Sequence, residues 1–466
     1  MTREHWRLGL LVIALGASAC GDSASDSADA AAAANDAGAD EPPTADCPVI
    51  VSDAKCDKSR RPFVFVHGTY GSGDNFAHVA ALLGSNGYCQ DRIVGVEYNS
   101  LGDQPGTDGS IDKAIDKVLA DNPKFTQVDL AGHSQGTSHC GTYLMKATQA
   151  AKVAHYINFS GVPTVGDVDT LSLSSMHDLG NTPHHALGNK VKEVTFTDED
   201  HFAVAASTNS FIELYKYLND GKAPKYTSVQ CGDSKITVEG ISETFADNAP
   251  VAGKVEVREV TDARAAGKPL STVMSDADGH FGPFELDRNV AYEFKGFDAD
   301  GTVVGYQYFT PFKRSNRLLR MLSPSKQTFI AALSTDHVLR GPNHVGIVAR
   351  WAGGAFRQDL GASLTIDGEE VLSSVNAGEE ALKVQALNGG VVGLFMFDDN
   401  ENSKSDLGLV YSSSFLSFTD VFVGTKTPAL VELSFTGGSE DKASKDVKLM
   451  ISNWPSSEGL VSVTFQ

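Results

Sequence analysis

The chain is short of positive charge. Lys and Arg number 38 against 59 Asp and Glu in 466 residues, a formal net charge of −21. Such a balance argues against a nucleic-acid partner, because phosphate binding needs a basic face. It suits solubility outside a cell and selects no partner of its own. Apolar length is limited near the N-terminus: the run 8–19 is too brief to cross a bilayer as a mature helix. Between Gly21 and Asp46 there is no basic residue, only an Ala-, Asp- and Ser-rich stretch. A stretch of that kind cannot bury a core and reads as a disordered, self-repelling tether. Cysteine is sparse, six residues in all.

What is present begins with Arg3 and Arg7, then the apolar run, then Ala17-Ser18-Ala19-Cys20-Gly21. Residues 1–19 have the layout of a lipoprotein-type signal peptide, with Cys20 as the lipidated first residue. Ordinary cleavage after Ala19 is the alternative. Gly21 in place of Asp gives no inner-membrane retention signal. The expected location is therefore the cell envelope, as an outer-membrane lipoprotein held to the membrane by its lipid anchor, with residues 20–56 as the tether. The remaining cysteines are Cys47, Cys56, Cys89, Cys140 and Cys231. They fit an oxidising compartment; Cys47 and Cys56 are close enough for a small loop, and the odd count leaves a free thiol. The length predicts two or three domains.

The most informative stretch is Val128-Asp129-Leu130-Ala131-Gly132-His133-Ser134-Gln135-Gly136. An apolar strand runs into Gly-His-Ser-Gln-Gly, and a helical pattern follows. This is a nucleophile elbow in its expected setting. Further buried strands are expected at 61–68, 92–98, 154–160, 170–174 and 191–196. Helical faces lie between them, one with Ile111, Ile115, Val118 and Leu119, the last with Phe211, Leu214, Tyr215 and Leu218 after an Asn209 or Ser207 cap. Alternation of this kind predicts an α/β hydrolase over 57–221: a mostly parallel sheet with helices on both faces.

A serine hydroxyl needs a base, and the base needs an orienting acid. In the order Ser, acid, His, the base is His201, in the polar stretch Asp198-Glu199-Asp200-His201. Asp178, at the mouth of the preceding strand, is the acid, with Asp167 and Asp169 in reserve. Asp198, Glu199 and Asp200 read as a solvated acidic loop. His133 and His139 read as packing or surface residues, and His177, His184 and His185 lie around the preceding strand and loop. The oxyanion donors are the backbone N–H groups of Gln135 and of Thr69, in the glycine-rich segment Thr69-Tyr70-Gly71-Ser72-Gly73.

After 222–232, a linker, the sequence turns to short alternating runs separated by Asp278-Gly279, Asp300-Gly301, Asp367-Gly368 and Asn388-Gly389. This predicts an all-β, antiparallel C-terminal region, divided into a transthyretin-like sandwich at 233–323 and a second β domain of lipase C-terminal type at 324–466. Asp398, Asn400, Asn402 and Asp406 are spaced as in a calcium loop, although Ser403 replaces the usual glycine and no glutamate closes it. An acidic hairpin tip is the plainer reading.

The segments Val64-Phe65-Val66-His67-Gly68-Thr69, the elbow, and Asp200-His201-Phe202 resemble bacterial α/β-hydrolase lipases, including the small lidless Bacillus group. Over the whole chain the resemblance is to two-domain lipases of the Archaeoglobus type, carried further by Gly282-Pro283-Phe284 and Gly393-Leu394-Phe395. It implies a serine ester hydrolase of lipase or esterase type, active on acylglycerols or similar lipid esters, with no cofactor. It also implies a C-terminal region that helps bind substrate. Two departures stand out. That family takes its acid from the strand end occupied here by Ser160, so Asp178 inherits the role. It also carries a long helical lid, for which residues 99–110 leave no room, so an open, esterase-like site is expected. Polyester or polyhydroxyalkanoate depolymerisation, and a non-catalytic surface binder on a hydrolase scaffold, are the alternatives.

Overall fold

A computed structural model describes residues 46–101, 107–264, 268–325, 336–339, 341–358, 361–372, 390–413, 415–437 and 447–466. The signal peptide, Cys20, tether residues 21–45 and the Asn388-Gly389 turn lie outside the described residues. Among the described residues no helix is long and apolar enough to cross a membrane.

Six parallel strands form the first sheet: β1 (Phe63–Val66), β2 (Ile93–Val96), β3 (Val128–His133), β4 (Val153–Phe159), β5 (Thr170–His177) and β6 (Val191–Asp200). Their order is β2-β1-β3-β4-β5-β6. Strands buried on both faces need apolar residues at every position, and β1 shows why. Phe63 and Phe65 pack on one side with α1 (Ala77–Ser85) and α4 (Thr208–Leu218). Val64 and Val66 pack on the other with α2 (Thr107–Asp121) and α3 (Gln135–Leu144). The Ser207 hydroxyl caps α4 by accepting the Ser210 N–H at 3.1 Å. This is the α/β-hydrolase fold, followed by an all-β region. The sheet's C-terminal edge carries the glycine-rich loop after β1, the elbow after β3, Asp178 after β5 and His201 after β6.

Two strands run longer than their apolar cores suggest. β5 continues to His177 and β6 to Asp200. Glu199 and Asp200 are therefore not a solvated loop but buried. Asp200 accepts the N–H groups of Phe202 and Ala203 at 2.7 and 2.8 Å, and that of Ala355, from the β region, at 3.1 Å.

The β region contains β7 (Lys235–Thr244), β8 (Gly253–Glu259), β9 (Ser271–Ser275), β10 (His280–Asp287), β11 (Tyr292–Asp298), β12 (Val303–Phe309) and β13 (Asn316–Ser323). It continues with β14 (Ile347–Trp351), β15 (Ser363–Ile366), β16 (Glu369–Glu370), β17 (Gly393–Phe397), β18 (Leu409–Ser413), β19 (Leu416–Asp420), β20 (Leu430–Thr436), β21 (Val447–Ser452) and β22 (Leu460–Phe465). A division at 323/324 does not separate two sheets. One nine-stranded sheet runs β9-β8-β11-β12-β22-β14-β17-β19-β18 across it. Nor is the region wholly antiparallel, since β22 pairs in parallel with both β12 and β14. Turn dipeptides report only hairpins, such as β11–β12 around Asp300-Gly301; parallel partners lie far apart in sequence and leave no local mark.

The same limit applies to the cysteines. Cys47 bonds Cys231 and Cys56 bonds Cys89, not Cys47, while Cys140 is the buried free thiol. The folded body thus begins by Cys47, ahead of the tether end expected at 56. The 222–232 linker is pinned as well: Asn86 exchanges two hydrogen bonds with the Tyr226 backbone.

Candidate active site

Ser134 sits at φ 51°, ψ −121°, between the end of β3 and the first residue of α3. This left-handed turn presents the side chain above the sheet edge. It is possible only because α3 lies almost against β1. A Cβ at Gly136 would stand 2.3 Å from the His67 carbonyl oxygen and 2.4 Å from that of Val66. A Cβ at Gly68 would meet the Ser134 Cβ at 2.8 Å, which places the glycine-rich loop beside the serine.

Asp178 and His201 meet as expected. Asp178 Oδ1 lies 2.5 Å from His201 Nδ1, with both side chains buried. Leu179 N–H donates to Oδ1 at 2.7 Å and the Ser174 hydroxyl to Oδ2 at 3.0 Å. Burial alone would raise this carboxyl, but His201 and His184 outweigh it and hold it well below the usual carboxylate range. His201 Nε2, on the far side of the ring, is buried and has no hydrogen-bond partner, so no bond to the serine hydroxyl is formed in this arrangement. Asp167 and Asp169 precede β5 and are exposed at the opposite sheet edge, where Asp169 pairs with Lys190.

His184 went unrecognised in the sequence. Its Nδ1 approaches Asp178 Oδ2 at 3.4 Å, so one carboxylate faces two imidazoles. That contact raises the His184 pKa. His133 packs, as expected: its ring lies 4.8 Å from that of His201, and its Nε2 meets the His201 carbonyl at 2.9 Å. Burial, then the neighbouring His201, lowers it to about 3, so it is neutral.

Thr69 and Gln135 face each other, their side chains 3.3 Å apart. Gln135 opens α3, where the N–H has no partner within the helix. Tyr70 follows at φ 60°. The β region holds this loop from behind. Arg320, on β13, donates to the Tyr70 carbonyl at 3.0 Å and to Asn248 Oδ1 at 2.6 Å, while Asn248 donates to the Gly71 carbonyl at 2.8 Å. Arg320 also pairs with Glu243 at 2.5 Å, and Arg350 with Asp74 at 2.5 Å. Arg320 and Glu243 are 1 % and 0 % exposed, so neither charge has water as an alternative partner.

Thr69, Ser134 and Gln135 are part-exposed, while His201 is buried. Phe415, from the β region, stacks on His201 at 6.2 Å and meets Phe202 edge-on at 5.2 Å. The cavity beside them is about 40 Å³, lined by Thr69, Tyr70, His133, Phe202, Phe245 and Leu416. Residues 102–106, within the segment where a lid would sit, lie outside the described residues.

Sheet, elbow and strand-end constellation together define an α/β hydrolase with an appended β region. Comparison with known proteins agrees on the second part: residues 234–326 match the lipase C-terminal domain family. The match falls on the segment read above as a transthyretin-like sandwich, rather than on 324–466. Among solved structures, Aspergillus fumigatus lipase B is similar at 13% identity and TM-score 0.29, over 37% of this chain and 56% of that one. Little more than half of that lipase is therefore spanned. Bacillus licheniformis lipase BlEst2 in its propeptide form is similar at 10% identity and TM-score 0.28, over 86% of this chain and 95% of that one. A Listeria innocua gene product is similar at 13% identity and TM-score 0.27, over 37% and 98%. Likeness at this level carries no functional argument.

Proposed function

We propose that the protein is a serine carboxylester hydrolase acting on acylglycerols or related lipid esters. The observation that carries the reading is Ser134 on its elbow at the same sheet edge as the buried Asp178–His201 pair. Ser134 Oγ attacks the ester carbonyl and His201 Nε2 takes its proton. The proton then passes to the leaving alcohol, and an acyl-serine ester remains. Water, deprotonated by the same imidazole, releases the acid. Asp178 holds the Nδ1–H tautomer and stabilises the imidazolium, and the Thr69 and Gln135 N–H groups bind the oxyanion. No cofactor enters these steps.

The apolar cavity lining and the lipase C-terminal match support lipid over small polar esters. The two disulfides support an oxidising compartment, in keeping with export and an anchor at Cys20; metabolic labelling with a fatty acid, lost in Cys20→Ala, tests the anchor.

Initial rates on p-nitrophenyl esters from acetyl to palmitoyl, beside emulsified triglyceride and polyester film, test the function. Turnover with preference for longer acyl chains is expected, and Ser134→Ala should be inactive while folded. Unchanged activity in that variant removes the mechanism. Preference for the film would move the substrate to polymer.

A further inference from the structure

The Thr69 N–H, assigned above to the oxyanion, shares one planar peptide unit with the Gly68 carbonyl, which points the opposite way. Whatever holds that carbonyl also aims the N–H. Two groups hold it: His67 Nδ1 lies 2.8 Å from the Gly68 oxygen, and the Gly71 N–H donates to the same oxygen at 3.1 Å. His67 is buried, and its ring stacks on Tyr98 with centroids 4.2 Å apart. The Tyr98 hydroxyl donates to the His67 carbonyl at 2.6 Å, so the preceding peptide is fixed as well.

A carbonyl oxygen only accepts, so His67 Nδ1 carries a proton. Burial lowers the His67 pKa to about 3, so the ring is neutral and Nε2 is bare. Two side chains face that bare nitrogen, each at 3.4 Å: the Asn248 amide, a donor, and Glu97 Oε2. Glu97 stands just past β2. Its Oε1 accepts the Gly73 N–H at 2.7 Å, whereas Oε2 is buried and has no hydrogen-bond partner. At 3.4 Å the sign of the contact matters more than its strength. An ionised carboxylate would set lone pair against lone pair, and a protonated Oε2 would bring a donor to Nε2. The opposite tautomer of His67 would suit an ionised Glu97, but it would set a bare Nδ1 against the Gly68 oxygen and release the Thr69 peptide. The surroundings favour the neutral acid. Asp74, Glu243, Arg320, Arg350 and His139 stand around the pair, and both guanidiniums are engaged, Arg320 with Glu243 and Arg350 with Asp74. Burial, then the Glu243 charge, raises the Glu97 pKa well above the usual carboxylate range, although the Gly73 N–H and Arg320 oppose the shift.

We propose that Glu97 is a positioning residue: held as the neutral acid, it keeps the His67 proton on Nδ1, and His67 in turn points the Thr69 N–H into the oxyanion hole. The role rests on the serine-hydrolase reading above. Glu97 and His67 act through the Gly68–Thr69 peptide and not on the substrate. Asn248 completes the arrangement from the β region, because the amide that faces Nε2 also donates to the Gly71 carbonyl at 2.8 Å.

The test uses the full chain. In heteronuclear spectra of isotope-labelled histidine, the His67 signals are those lost in His67→Asn. A neutral ring protonated at Nδ1 is expected, both in the parent and in Glu97→Gln, whose amide keeps one donor and one acceptor. A ring protonated at Nε2 in the parent would overturn the proposal. In rates on p-nitrophenyl esters, Glu97→Leu should lower kcat about tenfold with KM nearly unchanged. Glu97→Gln should restore kcat to within about twofold of the parent. A Gln variant as slow as the Leu variant, or a Leu variant as fast as the parent, would overturn the proposal too. If Glu97→Leu does not fold, the spectra and the Gln variant decide, and a loss of about tenfold in Glu97→Gln would count against the role. Ser134→Ala is measured alongside. Activity that survives there removes the ester-hydrolase reading itself, whereas Ser134-dependent turnover indifferent to Glu97→Leu removes only the role of Glu97.

Discussion

The hydrolase half and the β half divide the site unequally. Every group that the proposed mechanism uses belongs to the first: Ser134, Asp178, His201 and the Thr69 and Gln135 amides. The second contributes none of these, yet Arg320 and Asn248 hold the carbonyls of Tyr70 and Gly71, and Phe415 covers His201. Chemistry here is local, and enclosure is long-range. A β region that only stabilised the hydrolase would touch its outer helices. This one reaches the loop and the histidine themselves.

The largest effect should come from within the hydrolase half. Asp178→Asn removes the charge that orients His201 and should lower kcat by about 10⁴-fold with little change in fold. A mild effect would separate the buried pair from catalysis.

Next is the grip of the β half on the loop. Arg320→Met leaves Glu243 buried and unpaired and should cost about 3–5 kcal/mol, read by urea melts. The double variant Arg320→Met/Glu243→Gln should regain most of that stability. If Arg320 positions the oxyanion loop, kcat stays depressed about tenfold in the double variant with KM nearly unchanged. Full recovery of kcat would make the contact structural only.

Phe415→Ala tests the roof. Removing the ring should raise kcat/KM for palmitoyl relative to butyryl esters by several-fold and cost about 1 kcal/mol of stability. A fall for both substrates alike would mean that Phe415 holds His201 rather than screens it.

The smallest effect concerns pH. His184 is raised by its contact with Asp178, so its stabilisation is present below its unfolded value and is lost as pH rises through the raised one. While protonated it also offsets the Asp178 charge felt by His201. His184→Gln should therefore move the acid limb of kcat/KM to higher pH, by less than about one unit. The same variant should lose stability mainly on the acid side. No movement of the limb would show that His184 does not act through Asp178.

The contrast between the halves also governs what a reader of the sequence can find. The elbow, His201 and Asp178 are legible because each is a short signal at the end of a strand whose apolar run can be seen. Asp200 was not: an acidic tripeptide reads as surface, and only packing against Ala355, some 150 positions away, buries it. The Cys47–Cys231 bond, the insertion of β22 between β12 and β14, and Phe415 over His201 share that cause. Each joins residues with no common local pattern. His184 was visible as one of three neighbouring histidines, but nothing local distinguishes the one that turns toward Asp178.

The account stands first on Ser134 as the nucleophile. The direct measurement is intact-mass analysis after treatment with an alkyl p-nitrophenyl phosphonate, which leaves a stable phosphonyl ester on an activated serine. A single adduct is predicted on a peptide containing Ser134, absent in Ser134→Ala and much slower in Asp178→Asn. An unlabelled but folded protein, or an adduct at another residue, would contradict it.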